Sequence, residues 1–263
     1  MWSAAKELYG RKIVVLKFNG MEDIMKAQAV TDVGQQRKVN QDYLYYTIDK
    51  IGNLPNLFLV ADGMGGHKAG DMASKYTVDS FVRLVSETIQ KDPILILSDN
   101  VKTVNTLLIN KAAESEDYKG MGTTLVAATL QDNVLRIANV GDSRLYIISN
   151  DIRQITRDHS YVEEMVMRGQ IDRKQARTHV KKNIITRAIG AEKTVEPEMF
   201  SIDIQKGDKI LMCTDGLSNM IEDTDILKIV KESTDIDEAV KRLVATANEN
   251  GGTDNISVLM VEI

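Results

Sequence analysis

Thr123-Thr124-Leu125-Val126-Ala127-Ala128-Thr129-Leu130-Gln131-Asp132-Asn133-Val134-Leu135-Arg136-Ile137-Ala138-Asn139 is the stretch on which the fold turns. Thr123 to Leu130 and Val134 to Asn139 are strand-length runs, and Gln131-Asp132-Asn133 between them has the composition of a tight turn. Leu145 to Ile148 adds a third run. Consecutive strands joined in this way form an antiparallel meander.

Further strands lie on both sides of it. Tyr43 to Ile48 alternates imperfectly, Asn56 to Ala61 and Lys209 to Thr214 are apolar runs that end in Asp-Gly, and Ile256 to Ile263 closes the chain. Val78, Phe81, Val82, Val85 and Ile89 recur at helical spacing after Asp71. Asn100 is placed to cap a second helix that carries Val101, Val104, Leu108 and Ala112 inward. Ala239, Val240, Leu243, Val244 and Ala247 stripe a late helix that stops before Gly251-Gly252. Strands and helix pairs therefore come in blocks. Strand and helix do not alternate regularly, which argues against a doubly wound parallel sheet. The expected fold class is α+β: a central sandwich of two antiparallel β-sheets packed face to face, with helices outside.

The chain has 263 residues, a length that suits one large domain better than two small ones. Hydrophobic residues make up 43%, enough for a substantial core. Asp+Glu 38 against Lys+Arg 33 leaves a net charge of −5, without the basic field of a nucleic-acid binder. The acidic excess fits plain solubility, and equally a protein that gathers carboxylates around a cation. Cys213, the single cysteine, sits in an apolar run, so a disulfide within the chain is impossible and a buried, inert thiol is expected. That favours an intracellular, cytoplasmic setting. No run approaches the roughly 18 apolar residues of a membrane span. Residues 1–23 lack the marks of a secretory signal, because Ile13 to Phe18 is short, broken by Lys17 and followed by no small-residue cleavage site. Patterning begins near Ala27. The expected domain is therefore 27–263, behind an extension, 1–26, with no assigned role.

Asp158 to Gly190 stands apart. It is rich in charge, Gly169 is placed to stop one short helix, and Asp172 with Gln175 makes a capping box for another. With few large apolar residues it is expected on the surface as an inserted flap, either a lid over a site or a plain excursion.

Aspartates recur at strand ends. Asp62 follows Leu57 to Ala61, Asp215 follows Ile210 to Thr214, Asp142 follows Leu135 to Gly141, and Asp254 precedes Ile256 to Met260. A carboxylate at the end of a buried strand is poorly solvated, and several together repel unless a cation sits between them. Oxygen ligands without His or Cys favour Mg²⁺ or Mn²⁺ over zinc. Asp-Gly after a strand is also a common turn signal. Asp62-Gly63-Met64-Gly65-Gly66-His67 and Gly251-Gly252-Thr253-Asp254-Asn255-Ile256-Ser257 are more elaborate than a turn requires.

From about Ala27 to Ile263 the sequence resembles bacterial members of the protein phosphatase type 2C (PPM) family. Eight motifs occur in the family's order. They are Gly34-x-x-Arg37-x-x-Asn40-Gln41-Asp42, then Val60-Ala61-Asp62-Gly63-Met64-Gly65-Gly66-His67 with Gly70, then Met121-Gly122-Thr123-Thr124. Asn139-Val140-Gly141-Asp142-Ser143-Arg144, Asp158-His159-Ser160 and Ile184-Ile185-Thr186-Arg187-Ala188-Ile189-Gly190 follow. Cys213-Thr214-Asp215-Gly216-Leu217 and the Gly251 to Ser257 string complete the set. Each alone is weak; eight in order are specific.

The resemblance implies a four-layer αββα sandwich with a helical flap, and metal-dependent hydrolysis of phosphoserine and phosphothreonine in proteins. It implies that Asp62 bridges two ions, Mn²⁺ or Mg²⁺, that the Gly63 carbonyl adds a ligand, and that Asp215 and Asp254 bind further faces. Asp42 is implied to act through metal-bound water, and Asp142 to help hold a third, weaker ion beside Asp215. Its implied partners are phosphorylated proteins, substrates of a bacterial Ser/Thr kinase. No nucleic acid, no membrane and a monomeric state are expected. A cation pair lowers the pKa of water so that hydroxide can attack phosphorus in line, and the charge that spreads over the phosphoryl oxygens needs a fixed positive neighbour. Arg37 is the candidate clamp, since a guanidinium binds two phosphate oxygens at once.

Two positions depart from the family pattern. Gln41 stands where many relatives have Glu, and Met64 stands where animal relatives have the His that protonates the leaving oxygen. His67 or metal-bound water is left as the acid, with a structural role for His67 the simpler reading. His159 and His179 fall in the flap and receive no catalytic role. Two rivals remain: a phosphoprotein-binding pseudoenzyme, expected to have lost metal aspartates that are all present here, and a hydrolase of small phosphoesters. No G-x-x-x-x-G-K-[ST] loop appears, which argues against an NTPase.

Overall fold

The computed structural model describes residues 13–18, 21–65 and 69–263. In chain order the strands are β1 (Ile13–Phe18), β2 (Met21–Asp32), β3 (Asp42–Thr47), β4 (Leu57–Met64), β5 (Gly122–Thr123), β6 (Leu125–Gln131), β7 (Val134–Val140), β8 (Arg144–Ile148), β9 (Ile152–Gln154), β10 (Glu198–Asp203), β11 (Lys209–Cys213) and β12 (Ile256–Glu262). The helices are α1 (Ala69–Glu87), α2 (Pro93–Ala112), α3 (Tyr161–Met167), α4 (Arg173–Thr178), α5 (Asp215–Ser218), α6 (Asp223–Glu232) and α7 (Ile236–Glu249).

The strands form two antiparallel sheets, β1-β2-β12-β11-β8-β9 and β10-β7-β6-β4-β3, with β5 paired to β4. The β6–β7 hairpin forms as expected. Gln131 pairs with Val134, and Asp132 and Asn133 between them adopt φ of 53° and 63°, the left-handed pair that matches strand twist in a two-residue turn. The third run, β8, does not continue the meander: after the Asp142 turn the chain crosses to the other sheet, where β8 pairs with β11 and β9.

Side-chain alternation explains the four layers. Phe58 and Val60 of β4 meet Met212 of β11 and Leu259 and Val261 of β12 between the sheets. Leu57, Leu59 and Ala61, on the other face of β4, pack against Val78, Phe81 and Val85 of α1 and Leu97, Val104 and Leu108 of α2. Leu211 and Cys213, on the outer face of β11, pack against Ile226 of α6 and Val240 and Leu243 of α7. Central strands buried on both faces must be apolar at every position, which is why they read as unbroken runs. Each fully buried Leu or Phe contributes roughly 1.5–3 kcal/mol over its exposed state. The expected α+β sandwich with helices on both outer faces is the fold.

Local expectations fail where a stronger signal sits nearby. The second helix starts at Pro93, not at Asn100. Asp92 accepts the Ile94 N–H at 2.8 Å, and proline at the first helical position needs no partner for the hydrogen it lacks. Asn100 is buried inside α2. Ile89 is 94% exposed because α1 ends at Glu87, before the periodicity reaches it. The run expected from Thr123 to Leu130 breaks at Thr124 into β5 and β6. β2 passes through Ala27 without interruption, and Met25 is fully buried between the sheets. Residues 1–12 of the expected extension lie outside the described residues.

The flap carries α3 and α4. Gly169, at φ 69°, follows the first helix, and the Asp172–Gln175 capping box opens the second with both of its hydrogen bonds. Among the described residues no helix is long and apolar enough to cross a membrane.

Candidate metal centre

Strand ends from both sheets deliver carboxylates to one edge of the sandwich. Asp42 opens β3 and Asp62 lies near the end of β4, and antiparallel pairing sets them directly opposite each other. Asp215 follows β11 and opens α5. Asp254 precedes β12, whose Ser257 carbonyl accepts the Thr214 N–H beside Asp215. Asp142 sits in the turn from β7 to β8. Asp62, Gly63, Asp142, Asp215 and Asp254 line one open cleft of about 570 Å³, with Arg37 at its rim. Asp42 is buried behind them.

The motif residues around these aspartates hold their backbones. Asp62 donates its N–H to Thr124 Oγ1 at 2.9 Å, and its carbonyl accepts from Thr123 Oγ1 at 2.8 Å. Ser143 Oγ lies 2.7 Å from Thr124 Oγ1, so the Asp142 turn is tied to the same point. Thr214 Oγ1 donates to Asp42 Oδ2 at 2.8 Å and accepts the Ser257 N–H at 3.0 Å. Asn255 accepts the Gln41 N–H and donates to the carbonyls of Val33 and Val39, which pins the loop that carries Arg37. Gly63 admits no side chain: a Cβ there would lie 1.9 Å from the Gly70 carbonyl oxygen.

Electrostatics mark the cluster as incomplete. Burial, opposed by hydrogen bonds and reinforced by Asp215 and Asp254, pushes the Asp42 carboxyl up to about 7. Burial and then Asp254 push Asp215 up to about 6. Asp62 is raised well above the carboxylate range by burial, then by Asp42 and Asp215. Asp142 is raised by burial, then by Asp215 and Asp158. Asp42 Oδ1 and Asp215 Oδ1 are buried without a hydrogen-bond partner. Such oxygens require a proton or a cation.

The residues present fit a hard cation. The carboxylates and the Gly63 carbonyl form an all-oxygen donor set, the preference of Mg²⁺ and Mn²⁺. Among the described residues no three His, Cys, Asp or Glu side chains close a cage by themselves.

The structure brings Arg37 to the site as an ion pair, with Nη2 donating to Asp254 Oδ2 at 2.8 Å. Met64 lines the cleft. His67 lies outside the described residues. His179 accepts the Lys181 N–H and is not among the residues that line the cleft. His159 was assigned nothing by the sequence, yet it is buried against the Asp142 turn. Arg144, two residues after Asp142, makes a forked pair with Asp158. Both residues lie in motifs of the sequence, but a contact between positions 14 or 18 apart imposes no local spacing, so the pairing itself had no readable signal.

Known proteins share this fold. The family model described as Protein phosphatase 2C matches residues 34–259. The serine/threonine phosphatase stp of Listeria innocua serovar 6a is 39% identical over 249 residues, covering 90% of this chain and 96% of that one. The crystal structure of the serine/threonine phosphatase Stp1 from Staphylococcus aureus superposes with a TM-score of 0.85 at 35% identity, over 94% of this chain and 99% of that one. The catalytic domain of the serine threonine protein phosphatase PstP, solved in complex with 2 manganese ions, gives a TM-score of 0.80 at 31% identity, over 90% and 97%. The family match and the likeness in fold extend over nearly the whole length, and the chain belongs to the protein phosphatase 2C family.

Proposed function

We propose that this chain hydrolyses phosphoserine and phosphothreonine esters in proteins, as a metal-dependent Ser/Thr phosphatase. The observation that carries the reading is the cluster of Asp42, Asp62, Asp142, Asp215 and Asp254 at one cleft, with two buried oxygens that no donor satisfies. Asp62, the Gly63 carbonyl, Asp215 and Asp254 hold a pair of Mn²⁺ or Mg²⁺ ions, Asp42 supports them from behind, and Asp142 serves a third. The manganese pair in the PstP structure supports the first part of this assignment. Bound there, the ions supply Lewis-acid activation of a water and neutralise charge on the phosphoryl oxygens. Arg37, at the rim, orients the phosphate by paired N–H donors. The cleft is open, so a phosphorylated side chain on a protein surface can enter it. Cys213 is no nucleophile: burial pushes its thiol up to about 12. The partners are cytoplasmic targets of a bacterial Ser/Thr kinase, met by a monomer, with residues 27–263 as the catalytic domain.

The test is phosphate release from phosphothreonine peptides with Mn²⁺. Asp62→Ala and Asp254→Ala should each abolish it while circular dichroism shows an intact fold. Turnover that survives chelation rejects the metal mechanism, and activity retained in both variants rejects the ligand assignment. Phosphopeptide binding without turnover at any divalent ion identifies a pseudoenzyme instead.

A further inference from the structure

His159 is a buried side chain that the assigned chemistry leaves unused. It stands at the N-terminal foot of the flap and is 6% exposed. Its ring and its backbone grip one residue from two directions. Nδ1 accepts the Gly141 N–H at 3.1 Å, and the His159 N–H donates to the Gly141 carbonyl at 2.9 Å. His159 thus holds both polar backbone atoms of the residue before Asp142, and the carbonyl also accepts from Asn139 Nδ2 at 3.5 Å.

The other ring nitrogen is anchored as well. Nε2 lies 3.1 Å from Oε2 of Glu198, the first residue of β10, and Glu198 Oε1 pairs with Arg157 at 2.9 Å. Since the Gly141 N–H is a donor, Nδ1 must be the acceptor, and the ring hydrogen resides on Nε2, aimed at Glu198. Burial, and then the Arg187 cation, lower the imidazole pKa and favour this neutral form. The His159 carbonyl in turn accepts the Thr186 N–H at 2.8 Å, which joins the two feet of the flap at this point.

Gly141 has no slack of its own. It adopts φ +106°, and a Cβ there would lie 2.6 Å from the Thr124 side chain. A loop pressed this closely on Thr124 and bolted by His159 presents its next side chain in one direction.

We propose that His159 is a positioning residue for Asp142: by clamping the Gly141 peptide against β10 through Glu198, it sets the direction in which the Asp142 carboxylate enters the cleft. This rests on the reading of Asp142 as a cation ligand. Residues that orient a ligand from behind affect metal affinity about 10–100-fold when removed. A merely structural histidine would lower stability and leave the binding events of the surviving fold in their original proportion.

The experiment titrates the full chain with Mn²⁺ alone, by calorimetry and by the electron spin resonance of free Mn²⁺. Asp142→Ala defines the binding event that needs Asp142. His159→Leu should weaken that event about 10–100-fold and leave the remaining events unchanged. His159→Asn, whose Oδ1 can take the place of Nδ1, should restore most of the affinity. Amide hydrogen exchange at Gly141 should quicken in the Leu variant and not in the Asn variant. Should His159→Leu fail to fold, Glu198→Leu leaves the ring in place without its anchor and should weaken the same event. The proposal is overturned if the folded variant binds Mn²⁺ as wild type does, or if all events weaken equally. If Asp142→Ala removes no event, the ligand reading of Asp142 has failed, and the role of His159 falls with it.

Discussion

Asp42 and Asp62 stand directly opposite each other across the β3–β4 pair, both at the buried edge of the sandwich. Like charges at opposed positions of a sheet destabilise it. The protein without metal relieves them by holding protons: Asp42 is raised to about 7 and Asp215 to about 6, against 3.8 for an unperturbed Asp. From roughly pH 4 to pH 7 the folded chain therefore binds more protons than the unfolded chain, and stability falls as pH rises through that window.

The expected outcome is a melting temperature of the chelated protein that drops between pH 4 and pH 7 relative to Asp42→Asn, which cannot ionise. Saturating Mn²⁺ at pH 7 should reverse the drop, because an ion that binds only the folded state stabilises it by mass action. Melting curves in chelator and in Mn²⁺ decide the point. A wild type that gains stability over Asp42→Asn across the window contradicts it.

Arg37 separates stability from catalysis. Its pair with Asp254 is half exposed, and exposed pairs contribute at most about 1 kcal/mol. Arg37→Ala should therefore melt close to wild type. Its proposed hydrogen bonds to a phosphate are charge-assisted and contribute roughly 1.5–3 kcal/mol, which corresponds to a fall in kcat/KM of about 10–150-fold. Arg37→Lys should recover only part, since a point charge cannot fork. An Ala variant with unchanged kcat/KM removes Arg37 from the phosphate site.

How much of this was readable depends on where each signal lies. Leu57 to Ala61 and Ile210 to Cys213 were legible because burial on both faces leaves an unbroken apolar run, and the aspartate after each run was legible with it. β10 was not. Its residues Glu198 to Asp203 are half-buried or exposed, with no clean alternation to read. β2 was obscured in part because Asp23 and Lys26 interrupt it near the domain edge. The support of the site was the least legible. Thr124 and Asn255 act on backbone 62 and 222 positions away and His159 on backbone 18 positions away, and hydrogen bonds of that kind impose no spacing on the sequence.

Gly63 tests how tightly the backbone closes around the centre. A Cβ would meet the Gly70 carbonyl oxygen at 1.9 Å and that of Gln41 at 2.7 Å. Neither can withdraw freely, because the Gln41 carbonyl already accepts the Gly63 N–H at 3.0 Å and Ser74 Oγ at 2.6 Å, and the Gly70 carbonyl lies 3.2 Å from the same Ser74 Oγ. Gly63→Ala should lose about 1–3 kcal/mol by overpacking, together with activity. Gly120 is the control. It has φ +74° but nothing within 4 Å of a Cβ, so alanine there should cost only the left-handed penalty of about 1–2 kcal/mol and keep activity. Urea midpoints and phosphate release on both variants make the comparison. Normal activity in Gly63→Ala would mean that the β4 end is looser than its contacts imply.

The pair between Arg144 and Asp158 tests whether the charges behind the centre act as a unit. Arg144 Nε and Nη2 both reach Asp158, at 2.7 to 3.1 Å, with side-chain exposures of 19% and 12%. Arg144 Nη1 also donates to Tyr146 Oη at 2.9 Å, and Gln154 donates to Asp158 at 2.8 Å. Removing one member of a buried pair strands the other, so Asp158→Ala should cost about 3–5 kcal/mol. Replacing both, as Arg144→Met with Asp158→Leu, should cost less than Asp158→Ala alone, since no uncompensated charge is left buried. The site gives the cycle a second readout. Burial, Asp215 and then Asp158 raise the Asp142 carboxyl while Arg144 lowers it, so Asp158→Ala removes one of the influences that keep Asp142 protonated. Proton release on Mn²⁺ binding at pH 6 should accordingly be smaller in Asp158→Ala than in wild type. Additive stability losses with unaltered proton release would show two independent side chains that happen to touch.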